Sequence, residues 1–372
     1  MTTTIGSGPS VSTTRSAIST TDLSTQEVDV TINDQVDDSV LIIRNYQSKS
    51  ECPLPNKHGE QAGVCLFDKK DFNMAHMYVD FGLPVYRYER RSGETKTTIK
   101  CGQRKLLLGM VHFLTTYAFT KYNILYIGAA PGINVTYLTT LFPKHKFRLY
   151  DPSPFDTRLE TIPSVKIVKA LFTDEDAKKF IGKDVALVSD IRNIGYDVTG
   201  SFEENERMVM DDLTMQANWV RTIRPSVSML KVRLPYINEG QNDVPVKYFD
   251  GGFFIQQWTG PSSSETRLIV TDVDSEKEYS SVAYQDQLFT HNTLTRPGYH
   301  DHTDMTQRVP WVDYCYDCTS EMLIWANYLT KNMITPLPRR IAKLMNMATD
   351  FIGHADNCAT PSPCCKSDGV EP

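Results

Sequence analysis

Residues 122–141 of the chain read YNILYIGAAPGINVTYLTTL, and most of the fold can be inferred from this stretch. Apolar residues predict a strand over Tyr122–Ile127, glycines predict a tight turn over Gly128–Gly132, and apolar spacing predicts a helix over Ile133–Leu141. Small residues let the backbone of such a turn approach a ligand, and the following helix offers free N–H groups. The stretch therefore predicts either a loop for an adenosine-containing ligand or a tight turn with no ligand.

Strands and helices alternate beyond this stretch as well. Short apolar runs predict strands at Lys146–Tyr150, Ser164–Val168, Asp184–Ser189, Ser228–Leu234 and Arg267–Val273. Helical periodicity predicts helices at Gln103–Tyr117, Asp174–Phe180, Glu203–Thr222, Glu321–Leu329 and Arg339–Met347. This alternation is typical of an α/β fold in which a parallel or mixed sheet is covered by helices on both faces.

Length and composition fit one large domain with extensions. The chain has 372 residues, of which 40% are hydrophobic and 23% charged, and it contains neither a long apolar run nor a secretory signal pattern. Residues 1–31 are rich in Ser and Thr and predict a disordered tail. We expect order from about Val40, a domain with N- and C-terminal extensions over residues 32–352, and a flexible tail over 353–372.

Positive charge is concentrated in one segment of an acidic chain. The formal net charge is −6, but the segment from Tyr86 to Lys105 holds seven basic residues against Glu89 and Glu94. A locally basic segment suits a phosphate-containing ligand held in one groove, although a solvated charged loop explains such a run equally well. The basic residues are Arg87, Arg90, Arg91, Lys96, Lys100, Arg104 and Lys105.

The eight cysteines do not predict a metal site. Cys315 and Cys318 have CxxC spacing, but no second pair follows at the spacing of a zinc finger. We therefore interpret the cysteines as reduced thiols.

The turn at Gly128–Gly132 favours one kind of nucleoside ligand. It is not a GxGxxG loop, and Pro131 would crowd a pyrophosphate, which disfavours NAD and favours a ligand without phosphates, such as S-adenosylmethionine. Asp151 ends the next predicted strand, where an acid that binds ribose hydroxyls lies in a doubly wound sheet.

Four charged residues lie on predicted core elements around this turn. They are Asp190 after DVALVS, Lys231 inside SVSMLKVRLP, Glu265 before RLIVTDV and Lys105 at the start of a helix. Taken singly, each has an ordinary structural explanation, such as a helix cap for Asp190 or a snorkelling edge lysine for Lys231. Two lysines and two acids placed in this way together indicate chemistry.

Five motifs in order carry a family resemblance. They are GQRKLLLG (Gly102–Gly109), YIGAAPG (Tyr126–Gly132), VSDIRN (Val188–Asn193), LKVRLPY (Leu230–Tyr236) and SSETRL (Ser263–Leu268). Together they resemble the poxvirus-type cap-specific mRNA 2′-O-methyltransferases over about Gly102–Val273, and more thinly over Tyr86–Lys100. The resemblance implies the Rossmann-like sheet of the class I S-adenosylmethionine-dependent methyltransferases.

The resemblance also implies a role for individual residues. The implied catalytic tetrad is Lys105, Asp190, Lys231 and Glu265. The implied contacts with the methyl donor are Gln103, Tyr126, Gly128, Gly132, Asp151, Thr173 and Asp190. The implied cap and RNA contacts are Tyr86, Tyr236, Asn238 and Trp258.

This chain departs from the family pattern mainly around the cap. Ser262 stands where the family has one of two aromatic rings that sandwich the methylated guanine, and Trp258 is the candidate replacement. Asn238 replaces an acid that pairs with guanine, and Ser153 replaces a basic residue near the donor.

The resemblance implies an activity and its partners. The activity is transfer of a methyl group from S-adenosylmethionine to the ribose 2′-hydroxyl of the first transcribed nucleotide of capped mRNA. Lys231 is the implied general base and Lys105 the neighbouring cation, and a lysine acts as a base only if its pKa falls towards neutrality. A poly(A) polymerase catalytic subunit is a further implied partner, and the implied location is the cytoplasm or the virion, without a membrane.

Three alternatives remain open at this point. The first is a nucleotide-dependent oxidoreductase on a similar sheet, which the missing GxGxxG and the two lysines disfavour. The second is a non-catalytic RNA-binding subunit of a poly(A) polymerase. The third is a 2′-O-methyltransferase of uncapped or ribosomal RNA.

Overall fold

A computed structural model describes residues 72–83, 85–89, 101–192, 201–237, 242–299 and 315–352. The tails expected at 1–31 and 353–372, and the expected start of order at Val40, lie outside these residues. Within the described ranges, every helix is too short or too polar to cross a membrane.

A seven-stranded sheet forms the centre of the fold. Its strands are β1 (Asn123–Ile127), β2 (Lys146–Tyr150), β3 (Val165–Val168), β4 (Ala186–Ser189), β5 (Val227–Val232), β7 (Gly252–Phe254) and β8 (Thr266–Val270). The order is β3-β2-β1-β4-β5-β8-β7, in which the first five strands are parallel and β8 is antiparallel to both of its neighbours. Strands β6 (Val246–Phe249) and β9 (Glu276–Tyr279) form a separate antiparallel pair.

Helices cover both faces of the sheet. They are α1 (Gly102–Thr116), α2 (Ile133–Leu141), α3 (Asp174–Lys178), α4 (Phe202–Ile223), α5 (Ser281–Thr290), α6 (Arg296–Gly298), α7 (Tyr316–Lys331) and α8 (Pro338–Ile352), with 3-10 turns at Met74–Met77 and Thr157–Thr161 and a π-helical turn at His291–Thr295. The chain passes from β1 to β2 towards one side of the sheet and from β4 to β5 towards the other side. Right-handed crossovers therefore place α2 and α4 on opposite faces.

The two faces of the sheet are covered by different helices. On one face, α4 packs with α3 and contributes Leu213 and Val220 to a core that includes Leu125 and Ile127 of β1. On the other face, α1 and α2 pack against each other and against the C-terminal helices α7 and α8. The α/β fold expected from the sequence is confirmed.

A buried ion pair joins α1 to the C-terminal helices. The guanidinium of Arg104 donates to both carboxylate oxygens of Glu321 on α7, at 2.8 and 2.5 Å, and to Thr349 on α8 at 2.7 Å. Arg104 and Glu321 are 2% and 0% exposed. The indole N–H groups of Trp258 and Trp325 also donate to Glu321, so the buried carboxylate is fully satisfied.

Candidate active site

The turn after β1 lies against the end of β4. Gly128 has a φ of 74°, and a Cβ atom at this position would lie 2.8 Å from the carbonyl carbon of Asp190. Gly132, which caps the start of α2, has a φ of 70°. Positive φ favours glycine, and at Gly128 the adjacent main chain also excludes any larger residue.

Asp151 holds this turn from the end of the neighbouring strand β2. Its Oδ2 accepts the N–H of Ala130 at 3.1 Å, and its Oδ1 accepts the N–H of Ser153 at 2.8 Å. The order β2-β1-β4 therefore brings Asp151, Gly128 and Asp190 together at the carboxyl edge of the sheet, which is where doubly wound folds bind their ligands.

The remaining residues expected to contact the donor lie on three different elements. Tyr126 is buried on β1, and burial raises the pKa of its hydroxyl far above the ordinary value. Thr173 caps α3, where its hydroxyl donates to Asp176 at 2.8 Å and accepts the N–H of that residue. Gln103 lies in the first turn of α1. The glycines, the closeness of the turn to Asp190 and the acid at Asp151 fit an adenosine-type ligand.

Strand register brings the four charged residues together. Asp190 follows β4 directly, and Lys231 occupies the next position of its parallel neighbour β5, since Ser189 pairs with Leu230. Strand β8 is antiparallel to β5, so the start of β8 lies beside the end of β5. Glu265 comes directly before the start of β8. Lys105 reaches the same point from α1.

The ammonium and carboxylate groups of these residues are in contact. Nζ of Lys231 lies 3.1 Å from Oδ1 of Asp190 and 3.6 Å from Oε2 of Glu265. Nζ of Lys105 lies 3.1 Å from Oε1 of Glu265. All four side chains are between 12% and 18% exposed, so the cluster is mostly buried but can be reached from solvent.

Two arginines that the sequence interpretation did not include complete the cluster. Arg267 is 2% exposed and donates to Asp190 at 2.7 Å and to Glu265 at 3.0 Å. Arg192 donates to Glu265 at 2.9 Å. A common signal was available in the sequence, because each arginine lies two residues after an acid of the cluster.

The cluster holds more positive than negative charge, with four cations around two carboxylates. Burial alone would raise the pKa of both carboxyl groups, but Arg267 and Lys231 outweigh it, so that the pKa of Asp190 is below its ordinary value and that of Glu265 is well below. Burial lowers the pKa of Lys105, and Arg267 and Lys231 add to this effect against the opposing charge of Glu265. The geometry thus favours ionised carboxylates and disfavours a further positive charge.

A cavity of about 340 Å³ lies next to this cluster and has aromatic walls. Its lining includes Tyr88, Tyr236 and Phe289, together with Ser262. The Tyr236 hydroxyl shares a hydrogen bond with the Ser264 hydroxyl, and the guanidinium carbon of Arg233 lies 4.3 Å from the Tyr236 ring centroid. The rings of Tyr88 and Phe289 meet edge to face, with centroids 5.5 Å apart.

Two of the residues expected around the cap, Tyr86 and Trp258, do not line this cavity. Trp258 is 1% exposed, its indole N–H donates to Glu321 at 2.8 Å, and it does not line the cavity. Its position therefore gives no support to the prediction that it replaces the missing ring. The main chain of Tyr86 pairs with the Thr290 hydroxyl, and it is Tyr88, two residues later, that lines the cavity. Asn238 lies outside the described residues. Phe289 has no recognisable signal in the sequence.

Comparisons with known proteins find a matching family model and several relatives. The family model described as poly A polymerase regulatory subunit matches residues 77–306, which is more than half of the chain. A protein of fowlpox virus (strain NVSL), named cap-specific mRNA (nucleoside-2′-O-)-methyltransferase, is 29% identical over 254 residues, covering 61% of this chain and 79% of that protein. A protein of the same name from myxoma virus (strain Lausanne) is 26% identical over 222 residues, covering 53% of this chain and 64% of that protein.

Among solved structures, bluetongue virus VP4, described as a multifunctional RNA-capping production line, matches 71% of this chain and 43% of its own, with 13% identity and a TM-score of 0.37. A similarity at this level assigns neither fold nor function. The family match rests on the sequence and extends over the glycine turn, the charged cluster and the aromatic cavity. The chain belongs to the poly A polymerase regulatory subunit family.

Proposed function

We propose that this protein is an S-adenosylmethionine-dependent RNA 2′-O-methyltransferase that acts on the first transcribed nucleotide of capped mRNA. The observation that carries the proposal is the contact of Lys105, Asp190, Lys231 and Glu265 beside the glycine turn. The fowlpox and myxoma relatives, which bear the name of this activity, support it. The cytoplasmic location that the resemblance implies belongs to the same proposal.

The residues at the carboxyl edge of the sheet would hold the methyl donor. S-adenosylmethionine supplies an electrophilic methyl group on a sulfonium. The Gly128–Gly132 turn offers close main-chain approach, and Asp151 has acceptor capacity for ribose hydroxyls beyond its two backbone contacts. Gln103, Tyr126 and Thr173 remain candidate contacts around the same edge.

The charged cluster would activate the ribose hydroxyl. A hydroxyl is a weak nucleophile, so a base must accept its proton as the new bond forms. We assign this role to Lys231, because its ammonium group lies between Asp190 and Glu265, which orient it. Burial lowers the pKa of the neighbouring Lys105, and the charges of Arg267 and Lys231 add to this effect. Arg267 fixes both carboxylates and stays charged throughout.

The aromatic cavity is the proposed place for the cap. N7-methylation gives guanine a positive charge, which strengthens stacking on electron-rich rings. Tyr236 and Phe289 provide two walls and Tyr88 a third, so that Phe289 or Tyr88 compensates for Ser262. Glu89 adds a carboxylate to the lining.

Methyl transfer to three matched RNAs tests the proposal. Short RNAs with a methylated cap, an unmethylated cap or no cap are incubated with labelled S-adenosylmethionine, and the labelled nucleotide is identified after digestion. We expect 2′-O-methylation of the first nucleotide, fastest with the methylated cap. Equal rates on capped and uncapped RNA would contradict the cap assignment and support a methyltransferase of uncapped or ribosomal RNA. Transfer to no RNA would contradict the activity itself.

We propose a second function from the description of the family model, which names a regulatory subunit of poly A polymerase. In this function the chain would bind a poly(A) polymerase catalytic subunit and lengthen the tails that it makes. A primer-extension assay with and without the protein measures the effect, and the Lys231→Ala variant separates it from methyl transfer. Unchanged tail length with the wild-type protein would contradict the second function and leave the first intact.

A further inference from the structure

A second cavity, of about 500 Å³, lies at the amino-terminal ends of the strands, opposite to the end that carries the proposed active site. It is formed by the amino-terminal parts of β1, β2 and β3 together with the segment that follows α3. No residue of the proposed active site lines it. The strands of this sheet have four or five residues on this side, so at about 3.3 Å per residue the two sites lie roughly 15 Å apart.

Strand register explains why basic side chains gather here. Lys146 and Arg148 are two residues apart on β2, and side chains at this spacing point to the same face. Lys166 of the edge strand β3 pairs in parallel with Arg148, so its side chain lies on that face too. Beside them, Asn123 and Leu125 of β1 pair with Lys146 and Arg148 and carry no charge.

The buried ring of Phe180 contacts Arg148 and a fourth cation, Lys183. Phe180 is 4% exposed, and the guanidinium carbon of Arg148 lies 5.5 Å from its ring centroid. The ammonium group of Lys183 lies 5.3 Å from the same centroid. A cation over an aromatic face is attracted to the ring without being neutralised, so the charge of both groups remains available to a ligand.

The lining is strongly unbalanced in charge. It contains four cations and one acid, Asp184, and that acid is already paired with Lys121 at 3.1 Å. Within the described ranges, Lys146, Arg148, Lys166 and Lys183 form no ion pair. Side chains on neighbouring strands and at alternate positions lie roughly 5–7 Å apart, so the cations repel one another until an anion binds.

We propose that this cavity is a second site for RNA, in which the four cations bind phosphates of the strand away from the reacting end. A polyanion fits better than a single small anion because the cations are spread over two strands and a loop. Phe180 is buried and cannot stack with a base, so binding is independent of sequence. This inference goes beyond the proposed function, since such a site would bind RNA whether or not methyl transfer occurs.

Binding of a labelled, uncapped RNA of mixed sequence tests the proposal by fluorescence anisotropy across a range of salt concentrations. The test variant is Arg148→Gln/Lys166→Gln, and the control of equal charge is Lys247→Gln/Lys277→Gln, on the separate β6–β9 pair. Each phosphate contact with a single strand contributes about 0.7 to the slope of log affinity against log salt. We expect the test variant to bind more weakly with a slope shallower by about 1.4, and the control to behave like the wild type.

Other probes identify other ligands. Equal RNA affinity and slope in test variant and wild type would overturn the proposal. Two further results, each with RNA binding unchanged in the test variant, would also overturn it. If the test variant loses thermal protection by inorganic phosphate, the ligand is a free anion. If it loses retention by immobilised polyglutamate, the ligand is an acidic protein. If the test variant does not fold, Lys146→Gln/Lys166→Gln replaces it, because the cation–π contacts of Phe180 within the described residues are with Arg148 and Lys183. Loss of methyl transfer on a short capped RNA would bear on the proposed function only.

Discussion

Lys231 and Arg267 lie directly opposite each other on β5 and β8, and both bind the same oxygen of Asp190. Nζ of Lys231 is 3.1 Å and Nη2 of Arg267 is 2.7 Å from Oδ1. The arginine stays charged at any relevant pH. Asp190 therefore has a permanently charged partner in addition to Lys231, so the arginine alone can hold the carboxylate in place.

Replacement of Lys231 by Ala is expected to reduce methyl transfer by about 10²–10⁴-fold, the usual contribution of a general base, and to leave donor affinity nearly unchanged. Lys231→Arg should be equally inactive because a guanidinium stays protonated. Single-turnover kinetics and calorimetric titration with the donor measure the two effects. The matched variant Lys105→Ala tests the other lysine. If Lys231→Ala kept a tenth of the activity or more and Lys105→Ala lost it, Lys105 would be the base.

Replacement of Arg267 by Met is expected to lower the free energy of unfolding by about 3–5 kcal/mol, because two buried carboxylates lose their most buried partner. Urea denaturation measures the change. Arg221→Met, which breaks the exposed pair with Glu276, is the control and should cost about 1 kcal/mol or less. Similar losses in the two variants would show that the buried pairs add no special stability.

Stability is expected to fall on acidification through the carboxylates of the cluster. The pKa values of Asp190 and Glu265 are lowered in the folded state from ordinary values of 3.8 and 4.5. Their contribution is therefore complete above the ordinary values and is lost as the pH falls towards the lowered ones. Urea denaturation at several pH values should give a shallower acid dependence for Glu265→Gln, which has one fewer such group. An acid dependence identical to that of the wild type would contradict the lowered pKa.

The Asp151→Ala variant is expected to bind S-adenosylmethionine more weakly. The lost charge-assisted hydrogen bonds are worth about 1.5–3 kcal/mol each, or roughly 10–100-fold in affinity. Because Asp151 also holds Ala130 and Ser153, the melting temperature without ligand must be measured beside the titration. Unchanged affinity in a folded variant would place the donor elsewhere.

The variants Tyr236→Ala and Phe289→Ala are expected to raise the KM for capped RNA more than they lower kcat, the sign of lost ground-state binding. The effect should disappear with uncapped RNA, since only the methylated guanine gains from stacking. Trp258→Phe serves as a comparison, because its ring is buried away from the cavity. A KM effect confined to Trp258→Phe would restore the earlier assignment of the ring.

The sequence predicts the part of the fold whose signals are local. Helix α2 and strand β2 have the predicted bounds, Ile133–Leu141 and Lys146–Tyr150, since apolar spacing and the glycine turn mark their ends. Strands β6, β7 and β9 and helices α5 and α6 were not predicted. Strand β9 is largely charged, and β7 has only three residues and is defined by its partner β8.

The candidate site was predictable only as far as motif positions reach. Lys231 is conspicuous because it interrupts an apolar run. Arg267 is more buried than Lys231, at 2% against 14% exposed. Its spacing after Glu265 does not show that it lies opposite Lys231, because that depends on an antiparallel strand pairing. Phe289 reaches the aromatic cavity through the placement of α5, which depends on tertiary packing.

The Arg104–Glu321 pair has a consequence for the site that lies beyond it. Arg104 is next to Lys105 in the chain, and its partners are on α7 and α8. Neither charge can be lost alone without leaving the other unpaired in the interior. The C-terminal helices are thus an anchor for the helix that presents Lys105, and any shortening of the chain that removed them would loosen this lysine while leaving all four residues of the charged cluster in the chain.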